Sequence, residues 1–266
     1  MPTPLTDAIN ALTTYANTVT GASDTTLSDA VATLANGYGG GGGFSVDDIV
    51  SRNITGDIVY SGSHTYLTDG LFTYTAIDSF TSSTITGAER GIRAFFYCNN
   101  LKSISMPNLA IGNNTAKLME MCYRCTNLES AYLPNMATNW GNSMFEGCSK
   151  LTDVNIDACV TLPQSTFRYC ESLQIIDLPN CTRLNNTAFD GCYSLETVIL
   201  RSPTVCAINH VNALQSTPLR GYGGTYSGHV YVPSALLETY KTTTNWSTLY
   251  ASYPNIFETI EGSIYE

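Results

Sequence analysis

The chain has 266 residues, with 12 basic against 22 acidic side chains and a formal net charge of −10. That balance argues against a nucleic-acid binder, which needs a basic footprint. The 43% apolar content excludes a disordered chain, and no apolar run reaches the roughly 18 residues needed to span a membrane. Only 13% of residues are charged, so the polar surface must come from Thr, Ser, Asn and Tyr.

The start, Met1-Pro2-Thr3-Pro4-Leu5, has no basic or apolar leader, so no secretory signal is expected; a mature form with an added Met is the other reading. Apolar residues then fall at Leu5, Ile9, Leu12, Ala16 and Val19, and again at Leu27, Val31 and Leu34. Steps of four and three predict two helices with a narrow coiled-coil type of seam. Thr26 and Asp29 suit the start of the second. Helices this short need a partner. They form either a hairpin on their own chain or, preferred because a glycine run comes next, a site of homo-oligomerisation or attachment to other proteins. Residues 1–38 are therefore read as a helical module. Gly39 to Gly43 lack a phosphate-loop signature and read as a flexible linker.

Residues 44–90 are expected to cap the first coil of a repeat region that begins at residue 91. Asp47 to Val50 predicts a short helical turn. The stretches Asp57 to Tyr60, His64 to Leu67 and Leu71 to Ile77 predict short strands between glycine turns. Asp57, His64 and Asp69 can be drawn as a catalytic set, but none of the three histidines sits in a recognised motif, and no catalytic residue is assigned.

From residue 91 an internal repeat dominates. Phe145-x-x-Cys148, Phe167-x-x-Cys170 and Phe189-x-x-Cys192 succeed one another at steps of 22 residues. Each is followed by a leucine (Leu151, Leu173, Leu195), then Val154, Ile176 or Val198, then Ile156, Leu178 or Leu200. Earlier copies run from Phe95-x-x-Cys98 and Cys122-x-x-Cys125, with cysteine steps of 27 and 23, so insertions are expected there. Each of the three later coils carries Trp140, Leu162 or Leu184 five residues before its Phe. A 22-residue period of F-x-x-C-x-x-L-x-x-[IV]-x-[LI] predicts a leucine-rich solenoid with one short strand per coil over 91–232. The Phe, Cys and Leu columns become interior ladders, and Cys159 and Cys181 start a second thiol column. Cys122 and Cys125 form a CxxC, but they fall on the repeat's own columns without a second CxxC or clustered His. A buried thiol ladder is the simpler reading. No metal and no cofactor are expected. The odd total of nine cysteines argues against an even disulfide framework. A sixth strand is expected at Val230-Tyr231-Val232, and a C-terminal cap over 233–266 with a helix from Ser234, as its N-cap, to Lys241.

Residues flanking the central apolar of each strand should point outward. They are Ser103, Ser105, Ser130, Tyr132, Asp153, Asn155, Ile175, Asp177, Thr197, Ile199, His229 and Tyr231. This face, with Tyr222 and Tyr226 in the loop Gly221 to Gly228, is the candidate binding surface for a protein or sugar; the alternative is a merely solvated sheet face. Asp153 and Asp177 are also a weak candidate pair for Ca²⁺. The Asn-x-Ser/Thr sites at Asn53, Asn113, Asn185 and Asn245 are read as chance.

The run Ala94-Phe95-Phe96-Tyr97-Cys98-Asn99-Asn100-Leu101 and its partners resemble the BspA-type leucine-rich repeats of bacterial surface and phage-encoded proteins. So does Leu200 to Cys206 leading to Tyr231-Val232-Pro233 and on through Asn245-Trp246-Ser247, which is similar to the closing segment of such repeats. The resemblance covers about residues 77 to 262 and implies a binding role with no catalytic residues. Leu5 to Leu12 and Gly21 to Val31 resemble the leading modules of phage tail proteins. That implies a virion tail location, assembly in the host cytoplasm, other tail proteins and a host-surface glycan or protein as partners, and a homo-oligomer, a trimer for preference. The expected protein is thus α+β: an N-terminal helical module, a solenoid of about 22-residue BspA-type repeats and a C-terminal cap. Its expected role is non-catalytic host recognition in a virion tail. A BspA-like cell-surface adhesin is the alternative, and a polysaccharide-degrading enzyme the disfavoured third, since no paired carboxylates stand out.

Overall fold

A three-residue alternation of out, in and out is long enough for one rung of a sheet and no more, so each coil must hydrogen-bond to its neighbours. The computed structural model describes residues 55–60, 66–67, 69–88, 91–110, 118–137 and 141–266. The predicted helices over 1–38, the glycine run, the turn at 47–50, His64 and Trp140 lie outside the described residues. Strands β1 (Thr55–Tyr60), β3 (Ala76–Ser82), β5 (Ser103–Ser105), β6 (Ser130–Tyr132) and β7 (Asp153–Asn155) form one sheet in that order. Strands β9 (Ile175–Asp177), β11 (Thr197–Ile199), β13 (His229–Val232) and β14 (Phe257–Thr259) form a second. All pairs in both sheets are parallel. A third sheet stacks β8 (Thr161–Leu162), β10 (Arg183–Leu184) and β12 (Ala207–Ile208), and β2 (Tyr66–Leu67) pairs with β4 (Gly87–Ala88).

The columns are the core. Phe145, Phe167 and Phe189 are fully buried, with ring centroids 5.5 and 5.6 Å apart and planes within 9°. Phe72 and Phe95 stack in the same way at 5.4 Å. The cysteine column has a polar task as well as an apolar one. The thiols of Cys98, Cys125, Cys148, Cys170 and Cys192 each donate to the carbonyl at the Phe position of the preceding coil, at 2.7 to 3.2 Å. A buried carbonyl is thereby satisfied by a small side chain that otherwise packs as a hydrophobe. Burial pushes all five thiols upward from the ordinary cysteine range. In the second column Cys181 and Cys206 lie 3.9 Å apart, sulfur to sulfur. All nine cysteines are free and buried. Burial closes every thiol to a bulky reagent, Cys181 included although hydrogen bonding with Cys159 and Cys206 lowers its pKa, so Ellman's reagent at mildly alkaline pH is expected to titrate essentially no thiol in the native protein and all nine in denaturant. Rapid native labelling would contradict this packing.

Each coil turns on backbone in the left-handed region two residues before and two after the Phe column, as at Arg93 and Tyr97, Ser143 and Gly147, and Ser165 and Tyr169. Gly141 needs its glycine for a second reason. Its φ is +91°, and a Cβ there would sit 2.6 Å from the Met119 nitrogen and 2.8 Å from its Cα. Both are backbone atoms of the preceding coil and cannot rotate away. Gly141→Ala is therefore expected to destabilise by about 2–5 kcal/mol, combining about 1–2 for the backbone conformation with about 1–3 for overpacking, read as a shift of the urea midpoint.

Three sequence expectations change. Only the last two residues of the segment 71–77 are strand; residues 71–75 are the turn of a further coil, with Phe72 in the Phe column and Thr75 in the Cys column. Thr75 Oγ1 donates to the Phe72 carbonyl at 2.7 Å and lies 3.5 Å from the Cys98 sulfur, so a hydroxyl stands where later coils carry a thiol, and the strand begins only at Ala76. Ser234 does not N-cap a helix: it opens a 3-10 turn, Ser234–Leu236, leading into α1 (Leu237–Thr242). Its backbone N–H is taken by the Glu261 carboxylate at 2.8 Å. A second helix, α2 (Trp246–Ser252), and strand β14 complete the C-terminal end, so the sheet continues past the expected last strand.

The C-terminal end closes the edge left by β12. Tyr240, Trp246 and Phe257 form a triangle of rings with centroids 5.5 to 5.7 Å apart. The Trp246 indole N–H donates to the Cys206 carbonyl at 2.6 Å, the Cys206 N–H donates to the Tyr240 hydroxyl at 2.8 Å, and Asn245 donates to the Ile208 carbonyl at 2.8 Å.

Candidate binding surface

The strand register places the predicted outward residues in two continuous columns. Ser103, Ser130 and Asp153 stand side by side, as do Ser105, Tyr132 and Asn155. Further along, Ile175, Thr197 and His229 align, and so do Asp177, Ile199 and Tyr231. Tyr132 is 47% exposed and Ile175 42%, and Asp153 is also exposed; the serines, Asn155, Asp177, Thr197, His229 and Tyr231 are half-buried. Upstream the columns extend through Asp57, Ser79, Val59 and Thr81, which the repeat pattern did not reveal. Val59 is 74% exposed.

One predicted contact is wrong. Ile199 is buried at 2%, because the chain after β14 returns across the face. Ile264 and Tyr265 line a hollow with Ile199 and Arg201, and the Tyr265 ring meets Tyr231 edge-on at 4.7 Å. Burial against this segment raises the Tyr231 hydroxyl above its usual range. Asp153 and Asp177 also prove to lie in adjacent coils, and Asp177 is held by Arg201, whose Nε donates to both carboxylate oxygens at 2.8 and 3.1 Å. Among the described residues no group of three His, Cys, Asp or Glu side chains is placed to hold a metal ion.

The two candidate loop tyrosines part company. Tyr226 lies 5.1 Å from Tyr253, which lies 6.2 Å from His229, which in turn lies 6.4 Å from Tyr231. The loop is thus joined to the strand face by a run of aromatic rings. Tyr222 instead stacks on Tyr193 at 4.4 Å and borders a separate polar hollow of about 480 Å³ with Arg220, Asn212 and Gln215. Both tyrosines remain nearly half exposed.

The face has one seam. Thr197 N–H donates to the Gln174 carbonyl and Asp153 N–H to the Glu129 carbonyl, each at 3.1 Å. No equivalent bond joins Ile175 to Thr152 among the described residues, and β7 and β9 belong to different sheets. The gap falls where coil length settles at 22 residues and β8 opens the third sheet.

A second exposed feature is not visible in the repeat pattern. The outward residues of the turns, Tyr74, Phe96, Tyr97 and Tyr123, form a cluster with centroids 4.7 to 5.9 Å apart. Arg93 covers Phe96 from 5.0 Å and pairs with Glu120 at 2.6 Å. These rings largely cover one another, which is what a stacking ladder along a solenoid requires. The catalytic set drawn from the sequence is also structurally engaged in its described members: Asp57 accepts from Ser79 at 2.6 Å, and Asp69 accepts from the Ile92 N–H at 2.9 Å. Cys122 and Cys125 are fully buried in the core. No described helix is long and apolar enough to cross a membrane.

Comparison with known proteins agrees with this architecture. No curated protein matches the chain. Among solved structures, a leucine-rich repeat protein from Bacteroides ovatus superposes with a TM-score of 0.52 at 22% identity, over 74% of this chain and 45% of that one. A leucine rich cell surface protein from Faecalibacterium prausnitzii gives a TM-score of 0.38 at 21% identity, over 71% and 46%. The chain thus spans less than half the length of either. The model of the BspA type leucine rich repeat region matches in six copies, over residues 52–116 and 91–211. With its repeat columns, parallel rungs and that match over more than half its length, the chain belongs to the BspA-type leucine-rich repeat family.

Proposed function

We propose that this protein is a non-catalytic recognition module whose open strand face binds a protein or glycan displayed on another surface, and that it acts as an adhesin at a bacterial cell surface. The observation that carries the reading is the exposure of Tyr132, Asp153 and Ile175, which stand in different outward columns on either side of the seam. Three exposed side chains of aromatic, acidic and apolar character stand on consecutive coils of a rigid scaffold. Mixed patches of this kind suit a contact centre. Family membership supports binding over turnover, and Asp177 on the face is committed to Arg201.

Beads bearing the full chain test this against panels of cells and immobilised glycans. Capture is expected to be saturable and to fall about tenfold or more in the combined variant Tyr132→Ser with Ile175→Ser. Unchanged capture by that variant, or hydrolysis of a captured glycan, would refute the reading. A virion tail role is the second reading, favoured by the resemblance of residues 5–12 and 21–31 to phage tail modules and by their heptad-like spacing. Light scattering on the full chain separates the two: a trimer supports the tail role, a monomer the surface adhesin.

A further inference from the structure

We propose that the groove at the seam between β7 and β9, lined by both isoleucines and carboxylates, docks an extended basic segment of a partner protein, seating a lysine or arginine side chain at its rim. This rests on the reading of the strand face as the recognition surface and names the chemistry it takes. The groove holds about 380 Å³, at the lower end of the roughly 300–1,000 Å³ range of ligand clefts. Val154, Ile175, Ile176, Ile199 and Ile264 contribute the apolar part of its lining. Ile175 is 42% and Ile264 90% exposed, so apolar surface is left open beside a site that is already hollow.

Charge selects the occupant. The rim carries Asp153, Asp177 and Glu266 against a single cation, Arg201, and that guanidinium is committed to Asp177. One Glu266 oxygen accepts from the Gly262 N–H at 3.0 Å, which fixes its carboxylate at the rim. The local excess is two negative charges, on a chain whose net charge is −10. The open rung adds acceptor capacity at the Thr152 carbonyl, which lacks the bond its equivalents receive among the described residues. A long cationic side chain answers both features, since its methylenes lie on isoleucine while its head meets the carboxylates. An acidic segment is repelled, and a divalent cation lacks a ligand group of three among the described residues.

The test uses the full chain and two fluorescent peptides, one alternating lysine with valine and the other alternating glutamate with valine. Anisotropy is expected to show the lysine peptide binding at least about tenfold tighter than its acidic counterpart and weakening as salt rises. The charge-neutral variant Asp153→Asn with Glu266→Gln is expected to lose about tenfold, and Ile175→Ser a similar amount, with unchanged thermal melts. Tyr74→Ser, on the turn side, is expected to bind as wild type does. Equal affinity for both peptides, preferential binding of an uncharged oligosaccharide that the lysine peptide fails to displace, or unchanged affinity in the charge-neutral variant would overturn the proposal. If the lysine peptide fails while Tyr132→Ser still reduces cell capture, the groove assignment falls and the strand-face reading stands; if both fail, both fall.

Discussion

Phe167→Ala is expected to destabilise the protein by about 3–5 kcal/mol. Phe167 is the middle ring of the three-ring stack, fully buried, and parallel to Phe145 and Phe189 within 9°. Removing it leaves two rings facing a cavity, and the surrounding coils are pinned by rung hydrogen bonds such as Phe167 N–H to the Ala188 carbonyl at 2.8 Å. They cannot collapse into the space. A solenoid has only nearest-neighbour contacts to spread the loss, and a typical domain has about 5–15 kcal/mol in total. Urea unfolding reads the change directly. Phe167→Leu, which keeps most of the volume, is expected to lose about 1–2 kcal/mol. Equal losses for the two variants would mean that the stack is not a packed column.

Trp246→Ala acts at the other structural weak point, the closure of the last coil. The cavity accounts for about 3–5 kcal/mol. The Cys206 carbonyl, which accepts from the indole N–H at 2.6 Å, is left unsatisfied at a further cost of about 1–3 kcal/mol. Trp246→Phe keeps an aromatic ring but loses the bond and part of the indole volume, so its loss is expected to fall between wild type and Trp246→Ala. Because the damage sits beside β12, hydrogen exchange is expected to quicken first at Ala207 and Ile208 and to leave β5 protected. Uniform acceleration along the chain would show that the C-terminal end stabilises every coil equally.

The solenoid was legible because its determinants are local and periodic. Phe145, Phe167 and Phe189 announce their column at a constant step, and the outward positions come from the strand's alternation. What escaped depends on contacts between segments far apart in the chain. Ile199 is outward by periodicity and buried in fact, in a hollow that the chain after β14 lines with Tyr265. The coil at Phe72 is hidden because Thr75 stands in the cysteine column, where its hydroxyl donates to the Phe72 carbonyl of its own turn rather than to the preceding coil. The position of Ser234 before a helical pattern suggests a cap, but Ser234 is itself the first residue of a 3-10 turn whose N-cap is Pro233, and its side chain makes no capping bond. The seam lies where strand pairing passes from one sheet to the next, between β7 and β9, and no single repeat shows it. Of the candidate site, the two columns were readable and the groove between them was not.

The strand face as the recognition surface is the central claim, and hydroxyl-radical footprinting of the full chain with and without a captured partner tests it most directly. Protection is predicted at Tyr132, Ile175 and Tyr231, with Tyr74, Phe96 and Tyr97 unchanged. Protection of the turn-side rings with none on the strand face would contradict it.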